Sequence, residues 1–227
     1  MDKTGRGTGG RQPAVRVRAA AGRTPASRDW LARQLNDPYV AAARRLGYRS
    51  RAAFKLIEID DRFHLLKPGG RVADLGCAPG GWTQIAVERV GTRGRVVGVD
   101  LVETGPVVGA SILRADAAER AAIGVIKEAL GGGADLVLSD MAPATTGHAR
   151  TDHLRIVALA EAAFAVAEEL LEPGGGFVAK VFQGGAEGEL LDRLKRSFAL
   201  LRHAKPPASR AESAETYVVA KGFRGRV

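Results

Sequence analysis

The sequence is poor in residues that form disulfides or bind metals. Its 227 residues include one cysteine, Cys77, and four histidines that are scattered along the chain. A single cysteine excludes an intramolecular disulfide and any multi-cysteine zinc or iron–sulfur site. Because no two histidines have the helical spacing of a metal-ligand pair, we predict that the protein has no metal site.

Long apolar segments are also absent from the sequence. No run approaches the roughly 20 residues of a membrane-spanning helix, and the first residues lack the apolar stretch of a signal peptide. Hydrophobic residues nonetheless make up 45% of the chain, which is enough for the core of one domain. We therefore expect a cytoplasmic protein that does not enter a membrane.

Acidic residues are scarce at the start of the sequence. Residues 1–28 contain seven basic side chains and one acid, and they supply most of the net charge of +9. This segment is rich in glycine and arginine and lacks apolar periodicity, which predicts a disordered basic tail at 1–28 before one folded domain at 29–227. A cationic tail can bind RNA because each neutralised phosphate releases counterions, but the same composition also suits a solubilising tail.

The rest of the sequence alternates between helical and strand patterns. After short amphipathic helices between residues 29 and 66, apolar runs predict strands that are separated by helices. The predicted strands are residues 71–76, 95–100, 111–116, 134–140, 177–182 and 216–222, with a weaker one around 202–205. The predicted helices are residues 80–90, 117–130, 153–171 and 187–201. This alternation indicates an α/β fold with a parallel sheet covered by helices on both faces.

A glycine-rich turn joins the first predicted strand to its helix, with the sequence DLGCAPGGW at residues 74–82. Gly76 allows the backbone to turn sharply and to approach a ligand, and Gly80 offers an uncrowded amide group at the start of the helix. The spacing differs from the G-x-G-x-x-G of dinucleotide sites. We therefore expect a cofactor with an amino-acid end rather than a pyrophosphate, although the segment also suits an ordinary strand–helix turn.

Three aspartates end the next three predicted strands. Ligands of parallel sheets bind beyond the carboxyl ends of the strands, so these side chains should lie near the glycine-rich turn. Asp100 can accept hydrogen bonds from ribose hydroxyls and Asp116 from an adenine amino group, while Asp140 lies where the reactive end of the ligand is expected. Each of them alone could be a helix N-cap instead.

Three other charged residues belong to the same expected region. Lys180 lies in the apolar strand 177–182, where an unpaired lysine is costly. It should therefore pair with Asp140 on the neighbouring strand, unless its side chain extends to solvent. Lys55, on an early helix, and Glu215, before the last strand, could each be an ordinary surface residue.

Six segments together resemble the FtsJ/RrmJ family, the E group of ribosomal RNA large subunit methyltransferases. They are SRAAFKL, VADLGCAPGGWTQ, VVGVDL, DLVLSDMAP, FVAKVFQG and SAETYVVAKGF, and the resemblance extends over about residues 27–223. It implies a Rossmann-like class I methyltransferase fold, with a mostly parallel seven-stranded sheet and S-adenosylmethionine as cofactor. Cys77 stands where the family often has alanine, and the basic tail is unlike a minimal family member.

The resemblance also implies the residues of the active site. The family's lysine–aspartate–lysine–glutamate tetrad corresponds to Lys55, Asp140, Lys180 and Glu215. Its cofactor-binding residues correspond to Gly80, Trp82, Asp100, Asp116 and Asp140. Lys180, in its neutral form, is the candidate base that removes the hydroxyl proton. The arginines of the early helices are candidates for contacts with RNA phosphates. They could equally form a solvated basic face. These residues are Arg44, Arg45, Arg49 and Arg51.

The implied reaction is methylation of the 2′-hydroxyl of a uridine in 23S ribosomal RNA, presented on the large (50S) ribosomal subunit to a monomeric enzyme. Methylation of transfer RNA by the same chemistry is the first alternative. The missing G-x-G-x-x-G disfavours an NAD-dependent oxidoreductase, and the complete tetrad disfavours a non-catalytic assembly factor. An amino-group methyltransferase is disfavoured because no aromatic residue follows the segment DMAP at residues 140–143.

Overall fold

The central element of the protein is one seven-stranded sheet with helices on both sides. A computed structural model describes residue 31 and residues 34–143, 146–182 and 188–225. The strands are β1 (Arg71–Leu75), β2 (Arg95–Asp100), β3 (Ala110–Arg114), β4 (Ala134–Ser139), β5 (Leu171–Phe182), β6 (Phe198–Ala204) and β7 (Glu215–Phe223). The helices are α1 (Pro38–Leu46), α2 (Ala52–Phe63), α3 (Gly81–Val90), α4 (Arg120–Leu130), α5 (Ala149–Leu170) and α6 (Gly188–Ser197). The predicted tail at 1–28 lies outside the described residues.

The strands follow the order β3-β2-β1-β4-β5-β7-β6 across the sheet. The five strands from β3 to β5 run parallel, whereas β7 is antiparallel to both of its neighbours, β5 and β6. The predicted α/β class with a mostly parallel sheet is therefore confirmed. Because β7 is reversed, its first residues lie at the edge where β4 and β5 end.

Neighbouring residues of the central strands are buried on opposite faces of the sheet. Val72 and Leu138 pack in the cluster that includes α2 and α3. The adjacent residues Ala73 and Val137 pack in the cluster that includes α4, α5 and α6. Burial on both faces explains why these strands are continuously apolar in the sequence.

Strand β5 begins six residues before its predicted start. Leu171 pairs with Ala134 of β4, and pairing then resumes only at Gly176, opposite Leu136. The intervening residues include Gly174, whose φ of +88° is a left-handed conformation that favours glycine. The Pro-Gly-rich segment is thus an irregularity within the strand rather than a loop before it.

The helix boundaries around the last strands also differ from the prediction. The helix expected to reach residue 201 ends at Ser197, and β6 begins at Phe198, opposite Phe223 of β7. This antiparallel pairing buries Phe198 against Phe223 and overrides the local helical pattern. In the described parts of the chain, no helix combines the length and the apolar character that crossing a membrane requires.

Candidate active site

Lys55 is directed to the carboxyl edge of the sheet by the packing of α2 on α3. The indole N–H of Trp82, in the first turn of α3, donates to the Ala52 carbonyl at 2.8 Å, which ties together the first turns of both helices. Trp82 also packs on the Tyr217 ring of β7, with ring centroids 5.6 Å apart. The helix that carries Lys55 is therefore held against the strand that carries Glu215.

Lys180 and Asp140 form the first ion pair of the site. The Lys180 Nζ lies 2.8 Å from Oδ1 of Asp140 and donates to the backbone carbonyl of the same residue at 2.7 Å. Lys180 lies in β5, and Asp140 directly follows the neighbouring strand β4. The side chain of Lys180 is only 7% exposed, so it is paired rather than extended to solvent.

Lys55 and Glu215 form the second ion pair, directly beside the first. The Lys55 Nζ lies 2.8 Å from each carboxylate oxygen of Glu215. The pairs are also close to each other, because Lys55 Nζ is 4.0 Å from Asp140 Oδ2 and Lys180 Nζ is 4.0 Å from Glu215 Oε2. Two amines and two carboxylates thus alternate around one small region at the edge of the sheet.

Two residues that the sequence analysis did not single out complete this cluster. The Tyr217 hydroxyl donates to Oδ1 of Asp140 at 2.8 Å, and the Ser209 hydroxyl donates to Oε1 of Glu215 at 2.8 Å. Side chains two apart in a strand face the same way, so Glu215 and Tyr217 share one side of β7. That alternation is the signal that could have identified Tyr217.

The charges around Asp140 decide its ionisation. Burial raises the pKa of its carboxyl, but the ammonium groups of Lys180 and Lys55 outweigh that effect and the pKa is lowered overall. Burial and the neighbouring carboxylates raise the pKa of Tyr217 well above its ordinary value. At neutral pH the site therefore contains an ionised Asp140 and a hydroxyl-donating Tyr217. Among the described residues, no group of three or more His, Cys, Asp or Glu side chains is suited to hold a metal ion.

A cavity of about 590 Å³ opens next to the cluster, at the carboxyl ends of β1, β2 and β4. Three of the predicted ligand-binding acids line it, namely Asp100, Asp116 and Asp140. Its floor includes Gly76, whose φ is +75° and whose missing Cβ would lie 2.4 Å from Cγ of Met141. A side chain at position 76 would therefore narrow the cavity between β1 and β4.

Asp100 and Asp116 also organise the loops at the mouth of this cavity. Oδ2 of Asp100 accepts the Ala78 N–H at 2.9 Å, and Oδ1 accepts the Val102 N–H at 2.8 Å. Each bond uses one of the two acceptor positions of an oxygen, so the carboxylate keeps capacity for a ligand. Asp116 accepts the Ala118 N–H at 2.9 Å, which forms a turn and delays the start of α4 to Arg120.

Gly80 and Trp82 contribute to the expected ligand site in a different way. The residues that line the cavity do not include them, and the Trp82 side chain is only 3% exposed and points into the core. Gly80 precedes α3 in a left-handed conformation with a φ of +108°. Trp82 is the second residue of α3, where backbone N–H groups have no partner within the helix. The Gly80 N–H already donates to the Cys77 carbonyl at 2.6 Å, so of these two residues it is the main-chain N–H of Trp82 that is available to a ligand.

The glycine-rich turn also contains a fully buried acid, Asp74. One of its oxygens accepts the Thr83 hydroxyl at 2.6 Å, and the other has no partner among the described residues. Burial raises its pKa to about 7, the Thr83 hydrogen bond opposes that shift, and Asp140 and Asp100 add to it. A region with this many carboxyl groups fits a nucleoside ligand that carries positive charge. Burial raises the pKa of the Cys77 thiol to about 12, so this thiol stays protonated at neutral pH.

The four candidate RNA-contacting arginines have different surroundings. Arg44 and Arg45 are exposed at the end of α1. Arg51 is 2.9 Å from Oδ2 of Asp37, and Arg49 donates to backbone carbonyls of the loops that follow β1 and β2. The last two side chains therefore have structural partners, whereas Arg44 and Arg45 face solvent.

This combination of a mostly parallel sheet, a carboxylate-lined cavity at its carboxyl edge and an adjoining cluster of amines and carboxylates is that of a Rossmann-like α/β transferase. The family model of FtsJ-like methyltransferases matches residues 48–223. The chain belongs to that family, because the match covers most of its length and includes all four members of the charged cluster.

Curated relatives and solved structures agree with this family assignment. The chain is 62% identical over 222 residues to the ribosomal RNA large subunit methyltransferase E of Paramagnetospirillum magneticum, covering 96% of this chain and 91% of the relative. It is 61% identical to the same-named protein of Rhodospirillum rubrum, covering 96% and 84%. A crystal structure described as a ribosomal RNA methyltransferase from Plasmodium falciparum has a TM-score of 0.70 and 32% identity, covering 79% of this chain and 100% of that one.

Proposed function

We propose that this protein transfers a methyl group from S-adenosylmethionine to the 2′-hydroxyl of a uridine in 23S ribosomal RNA, on the large (50S) ribosomal subunit. The observation that carries the proposal is the alternating cluster of Lys180, Asp140, Lys55 and Glu215 beside a carboxylate-lined cavity. The ribosomal RNA substrate is supported by the relatives that are named ribosomal RNA large subunit methyltransferase E, which are 62% and 61% identical.

The acids of the cavity are the groups that would hold the cofactor. Asp100 keeps free acceptor capacity for ribose hydroxyls, and Asp116, which also lines the cavity, is the candidate partner of the adenine amino group. The main-chain N–H of Trp82 is the candidate contact for the amino-acid end, and Gly80 shapes the turn that precedes it. When bound, S-adenosylmethionine supplies a methyl group that is already activated by its sulfonium.

Within the charged cluster, we assign the removal of the hydroxyl proton to Lys180. Lys180 is an ammonium in its pair with Asp140, so it must first release a proton to solvent before its neutral Nζ can accept the hydroxyl proton. Two oxygens of Asp140 fix the position of Nζ at 2.8 and 2.7 Å. Lys55, paired with Glu215, supplies a positive charge next to the oxygen that loses the proton. General-base assistance of this kind is worth roughly 10²- to 10⁴-fold in rate.

The exposed cations of α1 are the candidates for binding the substrate. Arg44 and Arg45 lie on the chain segment that leads into the helix of Lys55, so phosphates bound there would be close to the reacting ribose. All members of the charged cluster come from one chain, which supports a monomeric enzyme. A substrate within the ribosome supports a cytoplasmic location.

Methyl transfer to isolated ribosomal particles tests the proposal. The protein is incubated with S-adenosylmethionine carrying a labelled methyl group and with large subunits, free 23S ribosomal RNA or transfer RNA. The RNA is then digested and its labelled nucleosides are identified. We expect 2′-O-methyluridine from the large subunits. Label in transfer RNA alone would instead support the alternative substrate, and label on a base would contradict ribose methylation.

The role of Asp100 has its own test, in the protein without RNA. Asp100→Asn keeps an acceptor for one of the two loop amides and removes the negative charge. We expect the Kd of S-adenosylhomocysteine, measured by calorimetry, to rise by about tenfold, because a hydrogen bond to a charged group is stronger than one to a neutral group. An unchanged Kd would contradict the proposed contact with the ribose.

A further inference from the structure

Arg49 lies in the short connection between α1 and α2, and its guanidinium contacts both loops at the mouth of the cavity. Nη1 donates to the Pro79 carbonyl at 3.1 Å and to the Gly105 carbonyl at 2.6 Å. Nη2 donates to the Pro106 carbonyl. One side chain thus joins the glycine-rich loop after β1 to the loop after β2.

Asp100 makes a second connection between the same two loops. Its carboxylate accepts the Ala78 N–H from one loop and the Val102 N–H from the other, at 2.9 and 2.8 Å. Asp100 lines the cavity, whereas Arg49 is exposed on the outer surface. The two loops are therefore connected by an acid inside the site and by a guanidinium outside it.

The loop after β2, residues 101–109, has little apolar packing of its own. Val107 is its only buried residue, and Leu101 and Val102, which line the cavity, are 66% and 63% exposed. With so little buried apolar area, the position of this loop depends on its polar connections. Two of those connections come from Arg49, whose guanidinium donates to the Gly105 and Pro106 carbonyls.

The position of Arg49 is fixed by a backbone hydrogen bond and by packing, so its side chain can hold the two loops in place. Its backbone N–H donates to the Gln84 side-chain carbonyl at 2.8 Å, and the Gln84 amide donates to the Gly47 carbonyl at 3.0 Å. It also packs closely on Gly80, where an added Cβ would lie 3.1 Å from both Cδ and Nη1 of Arg49. The absence of a side chain at position 80 is therefore needed for this contact.

We propose that Arg49 is a positioning residue for the cofactor site, which holds the 101–109 loop at the cavity, rather than primarily a contact for RNA phosphates. The identity of the cofactor rests on the proposed function above. Three carbonyls arranged around one planar guanidinium match the geometry of arginine, which presents several donors in a fixed fork. Arg49 lies six positions before Lys55 in the chain, so it also connects the segment that leads into the helix of Lys55 to the loops that follow β1 and β2.

The test compares Arg49→Met with Arg45→Met. Arg45 is a matched control because it is an exposed arginine of the same segment whose side chain has no hydrogen bond or ion pair with the described residues. For each variant, calorimetry gives the Kd of S-adenosylhomocysteine without RNA, and filter binding gives the Kd of a large-subunit RNA fragment. We expect the S-adenosylhomocysteine Kd to rise about tenfold in Arg49→Met and to stay within about twofold of the wild type in Arg45→Met.

Steady-state kinetics add a readout that a general loss of stability would not produce. Arg49→Met should raise the KM for S-adenosylmethionine about as much as the Kd, with kcat at saturating cofactor within about twofold of the wild type. Arg49→Lys keeps the charge but loses the planar set of donors, so its S-adenosylhomocysteine Kd should lie between those of the wild type and Arg49→Met. If Arg49→Met does not fold, Arg49→Lys replaces it in the test.

An S-adenosylhomocysteine Kd within about twofold of the wild type in both Arg49 variants would overturn the inference. The inference would also be overturned if Arg49→Met changed only the RNA Kd, and by as much as Arg45→Met does, because a residue that only contacts phosphates would behave in that way. Failure of the wild-type protein itself to bind S-adenosylhomocysteine would contradict the proposed function, independently of the role of Arg49.

Discussion

Lys180 and Tyr217 stand opposite each other in the β5–β7 pair, and both reach the same oxygen of Asp140. Lys180 Nζ is 2.8 Å from Oδ1, and the Tyr217 hydroxyl donates to it at 2.8 Å. The other oxygen faces Lys55 at 4.0 Å. The antiparallel register thus fixes the orientation of the carboxylate at the centre of the cluster.

Tyr217→Phe removes the hydroxyl bond to Asp140 but keeps the ring that packs on Trp82. We expect a loss of about 1–3 kcal/mol in the free energy of unfolding, because the acceptor is charged. The rate of methyl transfer should fall about tenfold with the S-adenosylhomocysteine Kd unchanged. Urea unfolding and single-turnover assays measure these effects. Tyr48→Phe is the control, since Tyr48 donates to Glu88 on the surface, and equal effects in both variants would contradict the role of Tyr217.

Lys180→Ala removes the candidate base. We expect single-turnover methyl transfer to fall roughly 10²- to 10⁴-fold. The Kd of S-adenosylhomocysteine should change little, because Lys180 does not line the cavity. Lys195→Ala serves as the control, because among the described residues the exposed Lys195 side chain of α6 pairs only with Asp192. Near-wild-type turnover in Lys180→Ala would reject the assignment of the base.

Asp74 gives the protein a distinctive dependence of stability on pH. Its pKa in the folded state is raised to about 7 by burial, whereas the pKa of an unfolded aspartate is about 3.9. The folded state therefore retains the proton over that interval. The contribution of Asp74 to stability is complete below about pH 4 and is lost as the pH rises toward about 7.

Asp74→Asn is neutral at every pH and can still accept the Thr83 hydroxyl. Relative to this variant, the wild type should lose a few kcal/mol of unfolding free energy between about pH 4 and pH 7. Urea unfolding of both proteins at intervals across that range measures the difference. A difference that stays constant with pH would show that Asp74 does not titrate there.

Two glycine-to-alanine substitutions should have opposite effects. Gly76→Ala adds a Cβ that would lie 2.4 Å from Cγ of Met141, at a φ of +75°. It should therefore destabilise the fold by about 1–2 kcal/mol and weaken cofactor binding. Gly124→Ala, within α4 and with open space around it, should stabilise the fold by up to about 1 kcal/mol. Thermal unfolding and calorimetry test both, and stabilisation by Gly76→Ala would contradict the packing described here.

The central strands could be predicted closely from the sequence because burial on both faces leaves a plain apolar run. Strand β2 occupies Arg95–Asp100, the predicted residues. The starts of β5 and β6 could not be predicted, because they depend on pairing with residues that are distant in the sequence. Phe198 begins a strand only because Phe223 lies opposite, and Leu171 pairs with β4 before the Pro-Gly-rich segment. Such long-range pairings override local propensity.

In the site, the location of Asp100, Asp116 and Asp140 around one cavity could be predicted, because parallel strands present their carboxyl ends at one edge of the sheet. The hydroxyl groups of Tyr217 and Ser209 are supporting contacts that depend on the register of β7 and on the preceding loop. For Arg49, the sequence gives a positive charge but cannot distinguish phosphate oxygens from backbone carbonyls as its acceptors. Only the path of the 101–109 loop decides that.

The reversed strand β7 has a consequence for the order in which the enzyme matures on the ribosome that synthesises it. Lys55 and Glu215 are separated by 160 positions, yet they form one ion pair. A nascent chain that has not reached β7 already contains both lysines and Asp140, but it lacks Glu215, Tyr217 and the strand that aligns them. Catalytic competence should therefore arise late in translation and in a single step, so that truncated products are inert rather than partly active.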